Sequence, residues 1–263
     1  MGEVIEGSTR VRAVLAPNPG PMTLDGTNSW VLAEPGARSA LVVDPGPLDD
    51  GHLRGVADLA RGDHREVAVI VLTHRHHDHA EGARRFSEMV DAPVRAADPA
   101  YRIGPDGLAD GDVLDVGGLE VRVLATPGHT GDSCCLHVPA DGVLLTGDTV
   151  LGRGTTVLAE PDGRLDDYLA TLRRLSAYVT QHGIGVLLPG HGPVRPDAGA
   201  VLDGYLRHRE ERLEQVRAAV RAGRTTATEV TATVYSDIDP SAYPAAEQSV
   251  RAQLAYLRDR GEL

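Results

Sequence analysis

Thr73-His74-Arg75-His76-His77-Asp78-His79 follows directly on Val67–Leu72, the longest apolar run in the chain. A short, continuous apolar run reads as a strand buried on both faces. The polar heptad that follows is then the loop at its end, where chemistry-bearing side chains tend to sit. In an extended segment His74 and His76 point to one side, and Asp78 keeps that parity while His79 breaks it. A turn at Asp78, as a strand-to-helix junction requires, swings His79 back towards the same site. His77 has the opposite parity to His74 and His76 and is expected to be structural.

Three further turns repeat the pattern. Thr126-Pro127-Gly128-His129-Thr130-Gly131-Asp132 follows the apolar run Leu119–Leu124, and Pro189-Gly190-His191-Gly192-Pro193 follows Ile184–Leu188. Between them Thr146-Gly147-Asp148-Thr149 closes the run Val143–Leu145. Strand ends that each deliver His or Asp beside Gly point to a metal site. Five histidines with Asp78 and Asp148 exceed one tetrahedral ion and suit two, with a carboxylate as the shared bridge. The set is rich in nitrogen and oxygen and lacks thiolate, so two Zn2+ per chain are expected, with Mn2+ or Fe tolerated. A metal-bridging hydroxide and two flanking cations make hydrolysis the expected chemistry, with Asp78 and Asp148 as the catalytic carboxylates.

The His-x-His-x-Asp-His run and the Gly-His-Thr, Gly-Asp and Gly-His-Gly turns resemble, in order and spacing, the metallo-β-lactamase superfamily. That resemblance implies His74, His76 and His129 on one ion, Asp78, His79 and His191 on the second, and Asp148 as bridge. It also implies a supporting role for Asp44 in Val42-Val43-Asp44-Pro45-Gly46, and an αββα sandwich of α+β class with the metals at one edge. Asn18-Pro19-Gly20-Pro21-Met22-Thr23 with Gly26-Thr27-Asn28, Leu151–Thr156 and Arg207-His208-Arg209 are similar to the β-lactamase-like protein 2 group. Metal-dependent cleavage of single-stranded RNA is the activity this group implies, and a glyoxalase II-like thioesterase or esterase of a small acyl substrate is the alternative. A non-catalytic metal-binding partner protein is a distant third, because the ligand set is complete.

Composition narrows the field. All 26 basic residues are arginine, which removes every lysine-centred mechanism and the lysine that glyoxalase II relatives use for glutathione. The net charge of −12 and an aromatic content of 3% disfavour a generic grip on nucleic acid, and no DNA partner is expected. No apolar run approaches the roughly 18 residues of a membrane span. Met1–Glu6 shows neither a leader nor a myristoylation pattern. With only Cys134 and Cys135, adjacent and expected to be small core residues, a cytoplasmic location follows.

Gly and Pro punctuate the chain up to about residue 200, after which Tyr205–Ala222, Glu229–Tyr235 and Ala245–Arg260 read as helices. A catalytic domain over 1–200 and a small helical domain over 201–263 are therefore expected. The latter resembles a winged helix whose β-wing would follow Gly261-Glu262-Leu263. Asn28, Thr155, Thr156 and His208 are candidate substrate contacts. Asn28 reads equally well as a buried amide that satisfies a turn, and the Arg207–Arg209 run as a solvated helix face. His52, His64 and His182 are expected at the surface.

Overall fold

The computed structural model describes residues 3–4 and 8–263. The N-terminal reading on Met1, Gly2, Ile5 and Glu6 lies outside the described residues. Two six-stranded sheets face each other. The first runs in chain order: β1 (Glu3–Val4), β2 (Val11–Leu15), β3 (Asn28–Leu32), β4 (Ser39–Val43), β5 (Glu66–Val71) and β6 (Val94–Arg95). The second comprises β7 (Val113–Val116), β8 (Leu119–Ala125), β9 (Cys134–Val138), β10 (Val143–Gly147), β11 (Val186–Pro189) and β12 (Arg195–Pro196), also in chain order. Pairing is antiparallel except at β4–β5, β5–β6 and β10–β11.

The central strands β3, β4, β9 and β10 are covered on both faces and are buried almost throughout, whereas β2, β7 and β8 alternate buried with exposed residues. Along β3, Trp30 and Leu32 enter the layer between the sheets with Leu136 and Leu145. Val31, of opposite parity, packs outward with Leu53 and Val56 of α1 (Asp50–Ala60) and Phe86 of α3 (Ala83–Val90). On the far side, Leu144 and Leu187 meet Leu172 of α4 (Leu165–His182) and Leu202 of α5 (Ala198–Arg221). The result is the expected four-layer αββα sandwich.

The same outer cluster takes in Val230 of α6 (Ala227–Val234) and Leu254 of α7 (Tyr243–Asp259). The C-terminal helices thus share a core with the second sheet, and residues 200 and 201 lie inside α5. A reciprocal Thr226–Glu229 capping box starts α6. Among the described residues no helix is long and apolar enough to cross a membrane.

The helical spacing over Ala80–Val90 resolves into two pieces, α2 (His77–Ala80) and α3. Gly82 N–H donates to Gly46 O at 2.9 Å, and a Cβ there would come within 2.8 Å of Pro47 O. This backbone contact pins the junction against the loop after β4, next to the histidine turn.

Candidate metal centre

The centre is assembled from the C-terminal edges of four strands. After β5 the chain bends at Thr73 and turns into α2 at His77, so Asp78 and His79 fall on one helical turn. Three donor atoms converge first: His76 Nδ1 stands 3.0 Å from His74 Nε2 and 3.0 Å from His129 Nε2. A second trio follows, with His191 Nε2 3.2 Å from His79 Nε2 and 3.0 Å from Asp78 Oδ2. Asp148 lies between them, its Oδ2 3.7 Å from His129 Nε2 and 3.4 Å from His191 Nε2. Its Oδ1 is buried without a hydrogen-bond partner and sits 3.4 Å from His79 Nε2.

These separations match the edges of a coordination tetrahedron, about 3.3 Å for metal–nitrogen bonds of about 2.0 Å. The ring nitrogens turned away from the centre are tied down. His79 Nδ1 donates to Asp44 at 2.9 Å, His129 Nδ1 to Val157 O at 2.9 Å and His191 Nδ1 to Gly26 O at 3.1 Å. Each tie turns Nε2 inward, the arrangement that orients metal-binding imidazoles. The seven expected ligand residues and Asp44 are therefore all brought together. His77, expected to be structural, is exposed and lies outside the cluster.

Charge within the centre suits a cation. Burial, followed by the neighbouring His79, pushes His74 well below the usual imidazole value, and burial with His129 takes His76 to about 4. Both therefore keep free lone pairs at neutral pH. Burial opposes the charged forms of the two carboxylates. Even so, the His191 hydrogen bond and His79 bring Asp78 to about 2, and His191 and His79 hold Asp148 well down. Against the same burial, Asp148 chiefly raises His79, and lifts His191 to about 9. Two ionised carboxylates thus retain positive charge where a metal ion would supply it, and the His and Asp clusters fit a metal site.

A cavity of about 520 Å³ opens on His129 and Asp148. One wall is the Leu151–Val157 loop, and the other belongs to the C-terminal helices through Tyr235, Ile238 and Ala246. Thr155 and His208 both line it. Burial, with Arg209 and Arg212 adding to it, lowers the His208 imidazole. Thr156 also lines it but commits its hydroxyl to the Asp148 carbonyl at 2.7 Å, steadying the turn that carries Asp148.

Some expectations change. Asn28 does not line this cavity, and its amide donates to Pro189 O at 3.0 Å and Gly192 O at 2.9 Å, in keeping with the turn-satisfying one of its two readings. Arg209 is not on a solvated face. It is buried, donates to Thr156 O and stacks over the Tyr168 ring at 5.0 Å, because α5 turns this side chain under the cavity loop. His52 is buried against Ser29, Nε2 to Oγ 2.9 Å, and His182 is half-buried on Tyr178, whereas His64 is exposed. Cys134 and Cys135 are free and buried, as expected.

Sequence reasoning missed Arg75, which joins the ligand turn to Asp162 at 2.7 Å and to Asp98 at 3.6 Å. Its place between two ligand-type histidines was the available signal. It also missed Tyr205, whose hydroxyl accepts from Leu151 N at 2.9 Å and fixes the cavity loop to α5.

A buried His and Asp centre at the edge of an αββα sandwich defines a metallohydrolase. The chain belongs to the metallo-β-lactamase superfamily, whose family model matches residues 22–191, and a β-lactamase-associated winged helix domain matches residues 226–262. Over 260 residues it is 30% identical to a β-lactamase-like protein 2 homolog of Caenorhabditis elegans, covering 95% of this chain and 84% of that one. It is 33% identical over 218 residues to an atrochrysone carboxyl ACP thioesterase of Aspergillus fumigatus, covering 81% of this chain and 66% of that one. A metallo-β-lactamase family protein from Thermus thermophilus has a similar structure, with TM-score 0.78 and 25% identity over 98% of this chain and 95% of that one.

Proposed function

We propose that this hydrolase cleaves acyl thioesters or esters, with residues 1–200 carrying the catalytic machinery and residues 201–263 closing the substrate cavity. The observation that carries the reading is the cavity wall. Its three arginines are already engaged: Arg153 with Asp25 at 2.8 Å, Arg209 with Thr156 O, and Arg212 with Val234 O at 3.1 Å and the Tyr235 ring. Otherwise the wall is mainly aliphatic, through Met22, Leu24, Leu151, Val157 and Ile238, with the single aromatic ring of Tyr235, which supports an acyl-binding site over a polyanion track. A relative named as an acyl carrier protein thioesterase supports the same class.

His74, His76 and His129 would hold one ion and Asp78, His79 and His191 a second, with Asp148 between them. Zinc suits this donor set, with manganese or iron tolerated. When bound, such ions polarise a scissile carbonyl and bring water towards ionisation at neutral pH. The residues of the chain do the rest. Asp78 and Asp148 supply the negative charge that retains cations. Asp44, Val157 and Gly26 hold the imidazoles in register. Thr155 and the uncharged His208 offer polar contacts to the substrate, and the C-terminal helices exclude water. Free, buried Cys134 and Cys135 support a cytoplasmic location.

Cleavage of single-stranded RNA is the second reading, favoured by the near whole-chain match to β-lactamase-like protein 2 homologs and by the winged helix match. A substrate panel on zinc- or manganese-loaded protein separates the two. Thiol release from acyl thioesters, with little turnover of bis(4-nitrophenyl) phosphate or a single-stranded oligonucleotide, is the expected result. The opposite preference would overturn the acyl reading.

A further inference from the structure

We propose that the acyl group is a long, uncharged chain that runs from the metal centre along the cavity and past Ile238 into a second groove. This rests on the acyl-hydrolase reading. The outer groove lies across the C-terminal helices and is lined by Ala232, Tyr243 and Pro240. It shares Tyr235, Ile238 and Pro244 with the catalytic cavity, so a single layer of side chains borders both. The two aromatic rings lining these spaces each have a partner. Tyr235 lies under the Arg212 guanidinium at 4.6 Å, and Tyr243 donates its hydroxyl to Thr228 O at 3.2 Å. Ile238 is half-buried in the turn between α6 and α7 and borders both spaces. The residues lining the outer groove include no charged side chain, which favours an apolar chain end there.

Such a path binds in proportion to length, each methylene taken from water adding about fourfold in affinity. The test measures displacement of a fluorescent fatty-acid analogue from the metal-loaded protein by butanoate, octanoate, dodecanoate and hexadecanoate. Thiol release from the matching acyl-coenzyme A series is followed in parallel. Affinity is expected to climb through dodecanoate. Ile238→Trp should weaken the two longest acids about tenfold and leave the shorter ones within about twofold. Ala232→Trp, at an exposed helix position of the outer groove, should weaken hexadecanoate alone. Affinity that levels off by octanoate in the unaltered protein overturns the proposal, as does an Ile238→Trp effect equal at all lengths. Length-dependent binding without cleavage of any thioester would leave the channel standing and remove the acyl-hydrolase reading. Cleavage of short thioesters without length dependence would do the reverse.

Discussion

The Asp44 carboxylate accepts a hydrogen bond from His79 at 2.9 Å, with both side chains at most 1% exposed. It also accepts the Thr73 backbone N–H and hydroxyl, each at 2.7 Å. One side chain at the end of β4 therefore sets both the path of the ligand turn and the ring tautomer within it. Asp44 itself has φ 51°, a left-handed conformation that Asp tolerates better than most residues.

Asp44→Asn removes one of the two carboxylate oxygens. If the amide turns its NH2 towards His79, that ring must move its proton to Nε2 and lose its inward lone pair. Metal retention in equilibrium dialysis and hydrolysis should both fall about 10- to 100-fold, the usual cost of losing a partner behind a metal-binding His. Full metal content in the variant would count against the assigned role.

Gly190 is required by space. A Cβ there would lie 2.6 Å from Asp148 Oδ1 and 2.7 Å from His79 Cε1, both fixed groups of the centre. Gly190→Ala should displace Asp148 and lower hydrolysis at least about tenfold, as expected when a site shifts by fractions of an ångström. Gly199→Ala is the control, since a Cβ there meets nothing within 4 Å and Gly199 lies in the first turn of α5. It should leave activity unchanged and raise stability by about 0.5 kcal/mol.

Arg209 couples the helical C-terminal part to the cavity loop. Arg209→Met leaves Thr156 O without its donor and removes the cation over Tyr168. The expected cost is about 2–3 kcal/mol of stability in urea titration. Because the loop lines the cavity and Asp148 keeps its own neighbours, KM should rise while kcat changes little. A fall in kcat at constant KM would place Arg209 in the chemistry instead.

The strands and the centre were legible because both follow local rules. Val67–Leu72 is a continuous apolar run and Cys134–Val138 is apolar but for His137, with no strict alternation in either, and ligand-type residues follow strand ends. What sequence did not reveal depends on distant partners. The short strands β6 and β12 have two residues each and little pattern to read. Arg209 looked solvated because Glu210 and Glu211 follow it, and only the arrival of the Thr149–Thr156 segment buries it. Asn28 could be assigned only once β3 and the His191 turn, more than 160 residues apart in sequence, lay side by side.

His137 gives the fold a built-in sensitivity to acid away from the metal centre. It sits on β9 with Nδ1 3.0 Å from the Tyr178 hydroxyl, and its Nε2 is buried without a partner. Burial, with His182 and Arg122 adding to it, pushes its pKa from 6.5 to about 4, against a smaller pull from Glu120. The unfolded chain therefore takes up a proton near pH 6.5 that the native state refuses until about pH 4. The stability this group contributes is complete above pH 6.5 and is lost as pH falls through that window. His137→Phe keeps a ring in the layer and deletes the titration. Compared after chelation, so that protonation of the metal-binding groups counts equally, the urea midpoint should fall less in the variant than in the parent between about pH 7 and about pH 5. Parallel shifts in the two proteins would mean that His137 is not the group responsible.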